Sequence, residues 1–482
     1  MNYRMIKYTL GWLLLFEALF FTLPILTAII YTERAGLAFF YSMLICGAVG
    51  GLCIMKKPEN TVLYSKDGFA TVSLSWIALS LFGSLPFMFS GVTPKFIDAL
   101  FETVSGFSTT GASIFSDVEA LPKCINLWRC FTHWVGGMGV LVFIMAFLPL
   151  GGAHNMHLMK AESTGPNVSK LVPRVRNTAA TLYGIYLIMT LVQLVFLLCG
   201  GMSLFDAICT AFGTAGTGGF GIKNDSFASE SSYIQIVVAV FMLLFSINFN
   251  SYYLIIKGNL KDALSAEVKA FIVIVLGAIT IISLDAYLAS ENFFATLGES
   301  IKHALFTVAS IISTTGYMSF NYDIWPELSR TIIVILMFIG ACAGSTGGGI
   351  KVSRLMILFK GMTKEIGQII HPKQVKKLTL DKKPIEHEVI RSVNAYIVCY
   401  IAIFAISILA LSFNELDLVT NFTAVTASFN NIGPGLAKVG PTCNYSHFGV
   451  FSKLILIFDM LAGRLELFPM LILFAPGTWK KR

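Results

Sequence analysis

The sequence predicts an all-α polytopic membrane protein. Four fused repeats, each reading span, short helix, loop and span, surround one axis and follow an N-terminal two-helix hairpin. Three observations carry this prediction. Apolar runs of about 20 residues, each long enough for a bilayer core of roughly 30 Å, recur from end to end. The 482 residues are 55% hydrophobic and only 13% charged, with a mean hydropathy of +0.74, which leaves too little polar surface for a soluble chain of this size. A short Gly-bearing loop also recurs at matching places: Ser108-Thr109-Thr110-Gly111-Ala112, Gly216-Thr217-Gly218-Gly219-Phe220, Ser313-Thr314-Thr315-Gly316-Tyr317 and Asn430-Asn431-Ile432-Gly433-Pro434.

Taken in order, residues 8–31 and 35–55 form the hairpin, which lacks the loop motif. The first unit has spans at 69–90 and 126–150, with the short segment at 96–107 and the loop at 108–112. The second unit uses 180–200, 205–215, 216–220 and 232–257. The third uses 268–289, 300–312, 313–317 and 328–360, and the fourth 388–412, 418–429, 430–434 and 448–474. Boundaries then fall at 1–66 for the hairpin and at 67–178, 179–262, 263–365 and 366–482 for the four units. Asp98 precedes Gly111 by the interval that separates Asp206 from Gly219, and Val308 and Val425 precede Gly316 and Gly433 by equal steps. Units repeating in one orientation are parallel repeats. Their short segments cannot span a bilayer and are expected to be re-entrant.

Charge sets the orientation. The formal net charge of +8 is concentrated at Arg4/Lys7, Lys56 to Lys66, Lys160 to Arg176, Lys257 to Lys269, Lys351 to Arg391 and Lys480 to Arg482. The positive-inside rule therefore places both termini in the cytoplasm. Met1-Asn2-Tyr3 leads almost directly into a long span, without the small-residue cleavage site of a secretory signal. The basic run Lys373 to Lys383 reads as juxtamembrane, not as a nucleic-acid patch. The longest cytoplasmic stretch, 361–387, is too short to fold as a regulatory domain.

Several other chemistries find little footing. The nine cysteines show no CxxC pair, and most, such as Cys46, Cys199 and Cys399, fall inside spans. Cys124, Cys130 and Cys443 fall on the outer side, where free thiols are favoured over a disulfide. His154 and His157 lack the further ligands of a metal site. Gly344-Ser-Thr-Gly-Gly-Gly349-Ile-Lys351 imitates a phosphate-binding loop, but Ile350 stands where its Lys must be; Gly216, Gly218 and Gly221 satisfy GxGxxG without a preceding strand. No nucleophile or metal cluster sits at mid-membrane depth, so the chain is read as no enzyme, with no covalent cofactor.

The four loops suit a cation pathway. Non-helical backbone at membrane depth is tolerated only when buried in protein or lining a water-filled cavity. A cation shedding its water needs replacement oxygens, which backbone carbonyls supply without fixed charge. Aiming successive carbonyls inward takes dihedrals that Gly adopts without a Cβ penalty. The short helices would also turn their negative C-terminal ends towards the axis. The alternative, glycines that merely permit close helix packing, suits Gly136, Gly137 and Gly139 better than four matched loops. Residues Gly340 to Gly349 are all small, which breaks the span 328–360 into a flexible intramembrane loop or a small-residue packing seam. Arg464 in the last span must face protein or water, and Asp459 and Glu466 stand near enough in sequence to pair with it. Asn248 and Asn250 face either the axis or another helix, while Glu17, Asp98, Glu102 and Asp206 read as helix anchors outside the site.

The four-unit pattern, with Ser-Thr-Thr-Gly-Ala, Ser-Thr-Thr-Gly-Tyr and Asn-Asn-Ile-Gly-Pro-Gly, closely resembles the Trk/Ktr/HKT superfamily of potassium transporters over essentially the whole chain. The N-terminal hairpin and the length are most similar to the membrane subunits of bacterial Trk systems. The resemblance implies potassium uptake across the bacterial cytoplasmic (inner) membrane through a filter built by Thr109, Thr110, Gly111, Thr217, Gly218, Gly219, Thr314, Thr315, Gly316, Asn431, Ile432 and Gly433. Family members with Ser at a filter glycine tend to pass sodium, so four glycines imply potassium selectivity with the ion bound in the filter. The resemblance further implies a gate at Gly344, Ser345, Thr346, Gly347, Gly348 and Gly349, with Arg464 as a cationic barrier. It implies a homodimer and a cytosolic nucleotide-binding regulatory subunit of the TrkA type. Channel-like flow and a proton- or sodium-coupled symport read alike in the sequence.

Overall fold

Among the described residues the apolar runs, long and short, are largely helical, as the 3.6-residue pattern demands. The computed structural model describes residues 1–60, 64–139, 175–289, 293–372, 377–381 and 383–480. His154, His157, the basic run from Lys160 and the second half of the span 126–150 lie outside the described residues. Among the described residues, six helical stretches are long and apolar enough to cross a membrane, and a seventh qualifies as a bent pair.

The N-terminal hairpin packs Tyr3–Phe20 and Thr22–Ile30 against Gly36–Ile54. A Cβ on Gly50 would meet the Gly11 carbonyl oxygen at 2.9 Å, so these glycines set how closely the two helices approach. At the hairpin turn, Glu33 accepts hydrogen bonds from the backbone N–H groups of Lys123 at 2.7 Å and Cys124 at 2.9 Å. The hairpin thus caps Lys123–Gly137, a helix of the first unit that offers no cap of its own.

The four short helices are Phe96–Phe107, Leu204–Ala215, Leu297–Ile312 and Leu418–Phe429. Three have side-chain N-caps: Ser203 to the Asp206 N–H at 3.2 Å, Thr296 to Glu299 at 3.2 Å and Asp417 to Thr420 at 2.9 Å. Asp98 pairs with Lys453 of the fourth unit at 2.7 Å, and Glu102 with Arg129 at 2.8 Å, so both acids anchor helices as expected. Ser65–Gly83, Val175–Cys199, Ala266–Leu288 and His387–Leu411 are the long first spans of the four units.

The second spans behave differently: the described helix of the first ends at Gly137, and the other three break. Lys123–Gly137 gives way to a left-handed turn at Gly139 (φ 84°). Ser232–Phe245 and Phe249–Ile256 meet at 90°, where a continuous span over 232–257 was expected. Glu327–Ile339 and Val352–Ile370 flank the break expected from the glycine run. The expected span 448–474 divides into Val450–Arg464 and Phe468–Phe474, with Glu466 (φ 58°) and Leu467 (φ 67°) left-handed between them. Carbonyls freed at the second break are taken up by the third unit. The Phe245 oxygen accepts from the Thr346 hydroxyl at 3.2 Å, and the Ser246 oxygen from the Cys342 N–H at 3.0 Å. Backbone can leave the helix at this depth because a neighbouring unit satisfies it.

All nine cysteines are free thiols, with Cys124 and Cys130 buried and Cys443 exposed. Glu33→Ala is expected to lower stability in detergent by about 1–2 kcal/mol, the weight of a lost helix cap. A thermal-unfolding midpoint equal to that of the wild type would show that the hairpin does not cap the first unit.

Candidate functional site

Each short helix ends in the same backbone figure. The C-cap is followed by a left-handed residue: Thr109 (φ 56°), Thr217 (52°), Thr314 (60°) and Asn431 (56°). The next N–H then reaches back over the helix end, Thr110 to Ser105 O at 2.9 Å, Gly218 to Gly213 O at 2.9 Å, Thr315 to Ser310 O at 2.8 Å and Ile432 to Ala427 O at 2.8 Å. These are Schellman ends, in which glycine usually holds the left-handed place. Here Thr holds it three times, a β-branched residue for which that region is a genuine outlier. The cost is of order 1–3 kcal/mol per residue, and the surroundings must hold each one.

The residue after each reversal carries its carbonyl to the neighbouring loop. Gly218 O lies where a Cβ on Gly111 would go, Thr315 O where one on Gly219 would go and Ile432 O where one on Gly316 would go. Thr110 O closes the circle at 2.6 Å from the Cβ position of Gly433. The four loops therefore form one closed ring in the order first, second, third, fourth. All four glycines are left-handed, with φ between 78° and 93°, so any side chain there would be strained and would strike a neighbouring backbone. The second loop, which departs from the Ser-Thr-Thr-Gly form, puts Thr217 and Gly219 in the same conformations as Thr314 and Gly316. An open vestibule on one face of the ring is lined by all four glycines, together with Asn224, Asn444 and Tyr445.

Side chains fix the ring from behind. Thr110 and Thr315 share hydrogens with Ser108 (2.7 Å) and Ser313 (2.6 Å), so these hydroxyls shape their loops. His133 joins the first and second units. Its Nε2 accepts from the Phe220 N–H at 3.1 Å, which makes Nδ1 the donor to Gly106 O at 2.7 Å. Met318 O accepts from the Phe227 N–H at 2.9 Å and joins the second unit to the third. Asp323 accepts from the Ala437 N–H at 3.1 Å and joins the third to the fourth. Asn431 donates to Thr110 Oγ1 at 3.0 Å and closes the fourth onto the first. Arg129 is fully buried, donating to Glu102 at 2.8 Å, to Ser113 Oγ at 3.2 Å and to Gly221 O at 3.2 Å. Glu102 also accepts from the Ile114 N–H at 2.9 Å, so this ion pair pins the chain just past Gly111.

Directly against the ring, on the face away from the vestibule, lies the glycine loop of the third unit. The Gly348 N–H donates to Thr314 Oγ1 at 2.6 Å, and a Cβ on Gly347 would meet Ser313 O at 2.8 Å. A Cβ on Gly348 would strike Asn430 O. Arg464 reaches the loop from the fourth unit, donating to Thr346 O at 2.7 Å, and spans to Gly136 O at 2.5 Å and Gly137 O at 2.6 Å in the first. The acids near it in sequence turn elsewhere: Glu466 pairs with Arg354, and Asp459 accepts from Ser407 at 2.7 Å. Asn248 caps Phe249–Ile256 and its side chain lies 3.1 Å from a Cβ built on Gly344. Lys351, buried, donates to Gly347 O.

The ring and the loop thus bring together every residue expected in the site. Sequence reading did not include Arg129, His133, Lys351 or Glu267, whose carboxylate takes the Ala343 N–H at 2.8 Å and the Ser353 N–H at 3.0 Å. Arg129 and His133, four apart in an otherwise apolar run, carried a signal, since ionisable groups at that depth need buried partners.

Comparison with known proteins gives consistent results. Residues 35–481 match the TrkH family model, described as cation transport protein. The chain is 34% identical to the Trk system potassium uptake protein TrkH of Escherichia coli (strain K12), covering 100% of both. It is 33% identical to TrkG of the same organism, covering 99% of each. The crystal structure of the potassium transporter TrkH from Vibrio parahaemolyticus is similar with a TM-score of 0.90, at 31% identity and covering 100% of both chains.

Arg129→Met should leave the Glu102 carboxylate buried without its partner and cost about 3–5 kcal/mol of stability. The double variant Glu102→Gln/Arg129→Met should recover most of that loss. Equal unfolding temperatures for the single variant and the wild type would show that this pair does not hold the first loop.

Proposed function

The chain belongs to the TrkH family of cation transport proteins, and on that premise we propose that the ring is its potassium filter and the glycine loop its gate. The family is one of transporters, not enzymes, and the chain is a multi-pass inner-membrane protein of a Trk-type potassium uptake system. The single observation that supports a filter is the closed circle of carbonyls and left-handed glycines at Gly111, Gly219, Gly316 and Gly433. A potassium ion on that axis exchanges part of its hydration shell for backbone oxygens of Thr109 to Gly111, Thr217 to Gly219, Thr314 to Gly316 and Asn431 to Gly433. The four short helices add the negative ends of their dipoles. Potassium is here the cargo, and the filter holds it without any other group.

The gate reading rests on the loop's place against the ring. Residues Gly347 and Gly348 touch Ser313, Thr314 and Asn430 at the ring, and Arg464 adds a positive charge beside them at Thr346. A cation arriving from the vestibule meets this charge after the carbonyls, and displacing the loop with Arg464 opens the way. The orientation proposed from charge puts the vestibule outside and both termini in the cytoplasm, with units divided near residues 66, 178, 262 and 365. A homodimer, and a cytosolic nucleotide-binding subunit of the TrkA type on the basic cytoplasmic segments, complete the proposal. The alternative is a proton- or sodium-coupled carrier.

Two expectations follow. In liposomes holding the purified protein, Gly316→Ser is expected to lower the potassium-over-sodium flux ratio about tenfold or more, since its side chain would strike Ile432 O and Pro434. An unchanged ratio would mean that the ring does not select. Arg464→Ala is expected to raise potassium flux several-fold at an unchanged ratio. Reduced flux with a lowered unfolding temperature would make Arg464 a structural clamp.

A further inference from the structure

The glycine loop has almost no side chains with which to pack, so its position is set by whatever holds its ends. Glu267 does this from a different helix. One oxygen of its buried carboxylate accepts both the Ala343 N–H, at the loop's start, and the Ser353 N–H, just past its end. Glu267 is the second residue of Ala266–Leu288, and the residue before it is itself held. The Ala266 N–H donates to Asp381 Oδ1 at 2.7 Å. Asp381, left-handed at φ 48°, follows directly on the strand Thr379–Leu380 of a small antiparallel hairpin that pairs Thr379 with Pro384 and Leu380 with Lys383. The same hairpin holds the helix that leaves the loop: Lys360, on Val352–Ile370, donates to Thr379 O at 2.8 Å.

These contacts make a closed circuit. From the loop it runs through Ser353 and the helix to Lys360, into the hairpin at Thr379, out at Asp381, through Ala266 to Glu267, and back to both ends of the loop. We infer that the hairpin Thr379–Pro384 is a brace that sets the loop's position, with Glu267 and Asp381 as positioning residues for potassium passage. The inference rests on the reading of the loop as the gate. Its mechanical content is separate: the two points that Glu267 holds, Ala343 and Ser353, are tied to the hairpin through Ala266 and Asp381 on one side and through Lys360 on the other. A load applied to the hairpin, far from the ring, is thereby delivered to the loop without passing through the filter.

The test uses the full-length protein and two readouts. Asp381→Ala removes an exposed acceptor and should not disturb folding; Asp381→Asn keeps an oxygen in place. Glu267→Ala and Glu267→Gln form the matching pair at the buried end. With either alanine, amide hydrogen exchange at Ala343 and Ser353 is expected to rise about tenfold, the weight of one hydrogen bond to a charged group. Basal potassium flux into liposomes should rise with it, while the potassium-over-sodium ratio stays that of the wild type and the amide variants remain close to wild type in both readouts. Exchange at Ala343 and Ser353 unchanged in Asp381→Ala would overturn the brace. Raised exchange with unchanged flux would support the brace and overturn the gate reading, and Arg464→Ala, also without effect on flux, would agree.

Discussion

Backbone carbonyls and N–H groups that leave the helix inside a membrane protein must find partners within the protein, because lipid offers none. Four segments of this chain do so at one level, and they solve the problem by leaning on one another. Each short helix closes its last turn with a Schellman bond, and the carbonyl that follows is set against the glycine of the preceding loop in the circle. No loop can keep this conformation alone. Three left-handed threonines and one left-handed asparagine are each unfavourable locally and persist because the neighbouring units fix the chain on both sides. The glycines are required sterically, since a Cβ on any of them would meet a neighbour's carbonyl.

Charge is kept out of the ring and placed around it. Glu102 with Arg129, and Asp98 with Lys453, are paired and at least half buried, joining elements behind the first loop and across the closure between the first and fourth units. Such pairs add little net stability, but losing one partner is costly, which makes them good registers for elements that must not slide. Beside the glycine loop the cations rest on backbone carbonyls. Arg464 rests on three backbone carbonyls, and Lys351 on a fourth.

The repeat was legible because its signals are local. Short apolar segments ending in Thr-Gly or Asn-Ile-Gly marked all four short helices to within three residues, and the run Gly340 to Gly349 marked the third break. The second and fourth breaks were hidden because they use no glycine run. Ser246 to Asn248 reads as ordinary helix, and Glu466 and Leu467 are left-handed only because other units grip the chain there. Asp459 and Glu466 stand near Arg464 in sequence, yet the helix ends at Arg464 and Glu466 pairs with Arg354. Partnerships made across units, such as His133 between Gly106 and Phe220, leave no trace in spacing.

The proposed gate is held differently from the ring it touches. The ring is closed: shifting any one of its loops means moving the backbone of the next. The glycine loop is open-ended, and its attachments are hydrogen bonds: Phe249 N–H to Gly344 O, Cys342 N–H to Ser246 O, Gly348 N–H to Thr314 Oγ1, Thr346 to Phe245 O, Arg464 to Thr346 O, Lys351 to Gly347 O and the two at Glu267. Each is worth about 0.5–1.5 kcal/mol net, somewhat more where a charge takes part. A loop of larger side chains would bury apolar surface against the ring and add a cost to every opening. Small residues keep the loop's hold to hydrogen bonds, so a modest load on the elements that anchor it can change its position while the ring stays as it is.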